Sequence, residues 1–82
     1  MKNAEEGQLF HSTIGKWMKF HREARGFKQR DVGQAIGVSH QQINKYETGI
    51  SRISASALFT LSSHFNWPVN TIFNEELWKK KL

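Results

Sequence analysis

The chain contains no cysteine among its 82 residues and only one proline. Without cysteine, a disulfide framework and a thiolate metal site are both excluded, and a reducing cytosol is the expected environment. No apolar run approaches the roughly 18 residues of a membrane span, and the N-terminus lacks the apolar segment of a secretory signal. We therefore expect a cytoplasmic protein that makes no membrane contact.

Residues suited to catalysis are also scarce. Asp31 is the only aspartate, and no Ser/His/Asp motif or glycine-rich phosphate loop occurs. The histidines lack the spacing of metal ligands; they are His11, His21, His40 and His64. We expect no enzyme, no cofactor and no bound metal.

Positive charge is what the chain has in excess, with a net charge of +5. Residues 14–73 contain eight basic side chains and three acidic ones, whereas the two ends are nearly balanced. A basic domain attracts polyanions and gains from counterion release when it binds them. The alternative, a surface that is merely basic and soluble, is not excluded by charge alone.

Apolar spacing predicts an all-α chain with one small domain. A first helix is expected from a cap at Ser12 or Thr13 to about Arg25, and its core stripe is Ile14, Trp17, Met18 and His21. We divide the chain into an N-terminal arm at residues 1–11, expected to be flexible, a domain at 12–73 and a helical extension or tail at 74–82.

Two further helices are predicted after residue 53. Ser54 caps a fourth helix, and Pro68 is well placed to begin a fifth because its missing N–H has no helical partner there. The expected inward residues are Leu58, Leu61 and Phe65 in the fourth helix, and Val69, Ile72 and Phe73 in the fifth.

The segment 29–49, QRDVGQAIGVSHQQINKYETG, organises the domain. Two short helical patterns meet at Gly37, which can adopt the left-handed conformation that ends a helix. Ser39 follows at the position of an N-cap. This is the helix-turn-helix arrangement, whose second helix can lie in a DNA major groove.

The third helix has a polar outer face without an acidic side chain. At about 100° per residue, Ile43, Tyr46 and Glu47 share one side. The opposite side holds amides, a hydroxyl and a cation: Gln41, Lys45 and Thr48, flanked by Gln42 and Asn44. Amides can pair with adenine, and lysine with guanine or phosphate. A merely solvated face would also be polar but usually mixes glutamate with lysine, so the pattern favours recognition.

Other residues are candidates for phosphate contacts. Gln29 begins the second helix, where free N–H groups and the helix dipole can hold an anion; alternatively it is a substitute cap. Ser39 starts the third helix. Arg52 is the only charge in the linker 49–53.

These residues together resemble the λ-repressor/Cro-like helix-turn-helix family, the XRE-type (Cro/C1-type) regulators. The resemblance covers residues 14–73 and departs from the family at Lys28 (usually Ser or Thr), Gly33 (Ala) and Ile53 (Pro). The matching positions are Ile14-Gly15, Gly26-Phe27-Lys28-Gln29, Val32-Gly33, Ile36-Gly37-Val38-Ser39, Ile43 and Glu47-Thr48-Gly49.

The resemblance implies a compact five-helix, λ-repressor-like bundle in which the third helix reads bases. The positions that carry this role over are His40, Gln41 and Lys45, with Gln42 and Asn44 adjacent. It also implies that Gln29 binds phosphate and braces the third helix, and that Thr48 and the linker near Arg52 meet the DNA backbone. His40 departs from the commoner Gln or Ser. It either donates to DNA with mild pH sensitivity or is exposed without a role.

A structural ion pair is predicted between Arg22 and Glu47. Glu47 lies on the same side as Ile43, where a carboxylate is costly unless it is paired. In the family a first-helix arginine meets this glutamate, and Arg22 occupies the corresponding position.

The function we expect is sequence-specific DNA binding by a nucleoid-associated transcriptional regulator. We expect repression, the simpler mechanism for so small a protein, by a homodimer whose two-fold symmetry matches a palindromic operator. One alternative is a protein-interaction module of the same fold, antitoxin-like or partner-binding, with weak DNA binding; exposed Trp67, Trp78 or Phe20 would favour it. Another is that the chain is a fragment of a longer regulator.

Overall fold

The computed structural model describes residues 4–74, with side chains from residue 13 onward. Four α-helices are followed by a 3₁₀ turn at Val69–Thr71; the helices are α1 (Ala4–Ala24), α2 (Gln29–Ile36), α3 (His40–Glu47) and α4 (Ala55–Phe65). No strand occurs between residues 4 and 74. The all-helical prediction is confirmed for the described residues, whereas the count of five helices is not confirmed, because the element after Pro68 is a 3₁₀ turn.

Helix α1 starts earlier than the sequence pattern predicted. It begins at Ala4, so Ser12 and Thr13 lie inside it and the expected start there was wrong. Residues 4–9 are mostly good helix formers, and acidic residues in a first turn suit the helix dipole. The prediction relied on apolar spacing, which is absent in this stretch. Whether residues 1–11 form a flexible arm stays a prediction.

The predicted stripe of α1 supplies one wall of the core. Ile14, Trp17, Met18 and His21 are all buried, which confirms that prediction. The other helices and the segment after α4 close the core around this wall with Val32, Ile43, Leu61, Trp67 and Ile72. Burial of these large side chains is the main stabilising contribution in so small a domain.

Helices α1 and α3 cross at Gly15. A Cβ built on Gly15 would clash with the carbonyl oxygen of Tyr46 and would lie 2.7 Å from that of Glu47. A glycine is therefore required for this approach, although it lowers helix propensity by about 1 kcal/mol relative to alanine. The crossing fixes the C-terminal end of α3 against α1.

Helix α4 begins at the predicted cap, but the segment after it differs from the prediction. Ser54 Oγ accepts a hydrogen bond from the Ala57 N–H at 3.0 Å, and Asn66 ends α4 with φ 58°. The inward face expected for a fifth helix holds only at Ile72, which is 1% exposed. Val69 and Phe73, at 40% and 70% exposed, contradict that expectation. Backbone bonds three residues apart replace the α-helical pattern here, so the predicted face does not form.

His21 is buried within an aromatic cluster. Its ring lies 5.1 Å from that of Trp17 and stacks on Trp67 at 5.9 Å. A guanidinium nitrogen of Arg25 lies 2.7 Å from His21 Nδ1. Because guanidinium groups only donate, Nδ1 is the unprotonated acceptor and the ring proton is on Nε2. Burial and the Arg25 charge together lower the pKa of His21 to about 4.

Because His21 is neutral in the folded protein, we expect the domain to lose stability in acid. An unfolded histidine titrates near pH 6.5, so between pH 6.5 and 4 the unfolded chain binds the additional proton. The contribution of neutral His21 to the unfolding free energy is complete above pH 6.5 and declines as the pH falls toward 4. Between pH 7 and pH 4.5 we expect the unfolding free energy to fall by about 2 kcal/mol more than in His21→Phe. Urea unfolding at both pH values measures the difference, and identical pH dependence in the two proteins would contradict it.

Candidate nucleic-acid interface

The turn between α2 and α3 is built from three short-range features. Gly37 has φ 75°, in the left-handed region that glycine tolerates. A Cβ on Gly33 would lie 2.5 Å from the Val38 carbonyl oxygen, so only glycine lets α2 approach the turn this closely. Ser39 Oγ then accepts a hydrogen bond from the Gln42 N–H at 3.1 Å. The predicted cap at Ser39 is confirmed, and the turn fixes the direction of α3.

Helix α3 presents one buried and one exposed face. Ile43 is fully buried and Glu47 is 7% exposed. Most of the predicted base-reading side chains point to solvent: His40, Gln41, Asn44 and Lys45 are exposed, and Gln42 is half-buried. This exposed face contains no acidic residue, so a polyanion meets amides and the Lys45 cation there without a repelling carboxylate.

Arg22 and Glu47 form a two-pronged ion pair between α1 and α3. Arg22 Nε donates to Glu47 Oε2 at 2.7 Å, and Nη2 donates to Oε1 at 3.1 Å. The side chains are only 12% and 2% exposed. The structure thus brings together the two residues for which the ion pair was predicted. Two parallel charge-assisted bonds give this contact a fixed geometry.

The remaining contacts of Arg22 extend the pair to the loop after α1. Nη1 donates to the carbonyl oxygen of Phe27 at 3.0 Å. The hydrogen bond to Glu47 raises the pKa of Arg22 above its usual value, so the guanidinium keeps its charge. One side chain therefore ties the loop before α2 to the end of α3.

Gln29 connects the first turn of α2 to α3. Its Nε2 donates to Glu47 Oε1 at 3.1 Å and to Asn44 Oδ1 at 3.2 Å. The brace that the family resemblance implies for Gln29 is present in the structure. Both hydrogens of the side-chain amide are used in it, so a phosphate contact by Gln29 would come from its backbone N–H.

Basic side chains surround the start of α2. Lys28 and Arg30 flank Gln29, and these three residues, with Arg22 and His40, line a cleft of about 390 Å³. Asp31 accepts the Lys28 N–H at 2.8 Å. No phosphate contact was predicted from the sequence for Lys28 or Arg30. Their position on either side of Gln29, at a helix N-terminus, makes them candidates for contacts with an anion.

The other predicted phosphate contacts differ in their availability. Ser39 uses an oxygen lone pair for its cap, which leaves its hydroxyl hydrogen to donate outward. Arg52 is exposed in the linker. The Thr48 hydroxyl donates to the Asn44 carbonyl at 2.9 Å, so a phosphate contact by Thr48 requires that hydroxyl to rotate. All three contacts stay predictions.

Neither a metal cluster nor a membrane-spanning helix occurs in the described part of the chain. Between residues 4 and 74, no group of three or more His, Cys, Asp or Glu side chains is arranged to hold a metal ion. In the same range, none of the helices combines the length and apolar character needed to cross a membrane.

Comparisons with known proteins agree with this geometry. A family model described as helix-turn-helix matches residues 18–70. An uncharacterised HTH-type transcriptional regulator of Sinorhizobium medicae is 36% identical over 75 residues, which covers 92% of this chain and 54% of the relative. An uncharacterised transcriptional regulator in the ATPase CF(0) region of Rhodospirillum rubrum is 37% identical over 62 residues, which covers 76% of this chain and 57% of the relative. The chain thus spans about half the length of these curated relatives. No solved structure matches it.

Proposed function

The chain belongs to the XRE-type (Cro/C1-type) helix-turn-helix family, and we propose that it is a sequence-specific DNA-binding transcriptional repressor. The observation that carries the proposal is the exposed, acid-free face of α3, held by a capped turn on one side and a buried ion pair on the other. A rigid helix with a polar outer face is suited to reading base edges in the major groove.

In the proposed complex, α3 lies in the major groove. Its base-reading side chains are His40, Gln41, Gln42, Asn44 and Lys45. Ser39, Arg52 and the basic residues at the start of α2 contact phosphates on both sides of the groove. These phosphate contacts supply affinity and position the helix, whereas contacts with base edges supply specificity.

We propose that the repressor acts as a homodimer. Two-fold symmetry places two recognition helices about 34 Å apart, which matches a palindromic operator. Large apolar side chains that are exposed on the single chain support a second copy: Ile50, Phe59 and Phe73 are at least 70% exposed. Leu77 and Trp78 of the C-terminal segment lie outside the described residues.

The alternative of a protein-interaction module has less support. An exposed Trp67 would favour it, but Trp67 is 2% exposed and stacks on Phe65 at 5.0 Å. Phe20 is half-buried against the core, and Trp78 lies outside the described residues. An antitoxin-like role or an additional protein partner therefore gains no support from these aromatics.

The proposal predicts that Gln41→Ala removes base readout without disturbing the fold. On a duplex enriched from a randomised pool, we expect a loss of affinity of roughly 5- to 150-fold, since a good amide–base pair contributes about 1–3 kcal/mol of discrimination. On a scrambled duplex the variant and the parent protein should bind alike. Fluorescence anisotropy at fixed salt measures both.

Ser63→Ala is the matched control, because Ser63 is exposed on α4. It should bind both duplexes like the parent protein. Equal affinity of Gln41→Ala and the parent for the enriched duplex would contradict base reading by this residue.

A further inference from the structure

The ion pair and the brace fix which end of the Asn44 amide faces outward. An asparagine amide has a donor end, the NH₂ group, and an acceptor end, the oxygen, and the two recognise opposite partners on a base edge. The orientation of such an amide follows from its hydrogen-bond partners. The partners of Asn44 allow one assignment only.

The assignment starts at Arg22, which can only donate. Arg22 holds both oxygens of Glu47, and the carboxylate can only accept. Gln29 lies 3.1 Å from Glu47 Oε1 and must therefore turn its NH₂ group toward it. The same NH₂ group lies 3.2 Å from the Asn44 side chain, which must present its oxygen. Each group determines the next, from the core to the surface of α3.

We call the chain of contacts from Arg22 through Glu47 and Gln29 to Asn44 the relay. We propose that the relay makes the Asn44 side chain a hydrogen-bond donor toward DNA. Asn44 is then a specificity-determining residue that requires an acceptor on the DNA. The inference rests on the proposed function. The acceptor is either a base edge or a phosphate oxygen, since both offer oxygen or nitrogen lone pairs. In the major groove guanine, adenine and thymine offer an acceptor, whereas cytosine offers only the N4 donor. If Asn44 meets a base, cytosine is therefore excluded at the contacted position.

Glu47→Gln tests the relay because it reverses its polarity with little change of shape. The shorter contact, from Arg22 Nε at 2.7 Å, keeps the oxygen of the substituted amide in place. Its NH₂ group then faces Gln29 and also Arg22 Nη2, which loses its acceptor at this position. The Gln29 amide then turns its oxygen to this group and to Asn44. Asn44 in turn directs its NH₂ group inward and its oxygen outward.

The measurement is sequencing of duplexes bound from a randomised pool by the parent protein and by three variants. Asn44→Ala locates the contacted position, where cytosine depletion should disappear. In Glu47→Gln we expect the frequency of cytosine at that position to rise roughly tenfold. This is the effect of forming a hydrogen bond to cytosine where the parent protein leaves a polar group unsatisfied. Gln29→Leu removes the relay without reversing it. The frequencies of the four bases at the contacted position should then lie within about threefold of one another. It also supplies the test if Glu47→Gln does not fold.

A phosphate acceptor would give a different pattern. Asn44→Ala and Glu47→Gln would then weaken binding to every duplex to a similar extent and leave base preferences unchanged. The relay is overturned if the parent protein enriches a sequence while Asn44→Ala and Gln29→Leu change neither its base preference nor its affinity. It is equally overturned if Glu47→Gln folds and keeps cytosine excluded. Absence of any enriched sequence would instead reject the proposed function.

Discussion

Glu47→Ala should destabilise the domain by about 3 kcal/mol or more, as expected for removing one partner of a buried ion pair. Arg22 is only 12% exposed and would lose both of its bonds to the carboxylate. An unpaired guanidinium in this position is poorly hydrated, and Gln29 would lose an acceptor as well. For a domain of this size, the loss corresponds to a fall in Tm of roughly 12 °C or more.

Glu23→Ala is the matched control for Glu47→Ala. Glu23 also lies near Arg22, at 3.8 Å, but its side chain is 58% exposed. Exposed pairs of this kind contribute about 0–1 kcal/mol, so Glu23→Ala should leave Tm nearly unchanged. Calorimetry of both variants decides the matter: if Glu47→Ala melts with the parent protein, the pair does not hold α3.

Gly15→Ala should destabilise the domain by about 3 kcal/mol, toward the upper end of the range for overpacking. The new Cβ would clash with the carbonyl oxygens of Tyr46 and Glu47. Both are backbone atoms, so relief requires movement of α3 as a whole. That movement would also weaken the Arg22–Glu47 contact, and it outweighs the gain of about 1 kcal/mol in helix propensity.

Lys16→Ala is the control for this substitution, because it places alanine at the neighbouring exposed position of α1. It should change the unfolding free energy by less than about 0.5 kcal/mol. Chemical denaturation of the two variants separates close packing from helix propensity. An increase in stability for Gly15→Ala would show that α1 and α3 are not in close contact at this position.

The features that were predictable from the sequence are those decided locally. Ser39 and Ser54 cap their helices because a serine preceding an apolar pattern accepts the free N–H groups of the first turn. The burial of Trp17 and Met18 follows from their helical spacing. The contact of Arg22 with Glu47 required more than spacing, because the two residues are far apart in the sequence. It came from the family resemblance together with the cost of an unpaired buried charge.

The features that were missed depend on tertiary contacts. The burial of Trp67 depends on its stacking on His21, which is distant in the sequence, as well as on the neighbouring Phe65. The link from Gln29 to Asn44 requires α2 and α3 to be docked already. Apolar spacing also could not show that a 3₁₀ turn, and not a fifth helix, follows Pro68, since a single 3₁₀ turn is enough to bury Ile72.

The most direct test of base reading by α3 is selection of duplexes from a randomised pool, with sequencing of the bound fraction. The parent protein should enrich a palindrome whose half-sites are centred about 34 Å apart, one helical turn of DNA. Gln41→Ala should fail to enrich it. If the parent protein enriches no sequence and binds all duplexes weakly, with an affinity that falls steeply with salt, its positive charge acts on phosphates alone. That result would contradict sequence-specific recognition by α3.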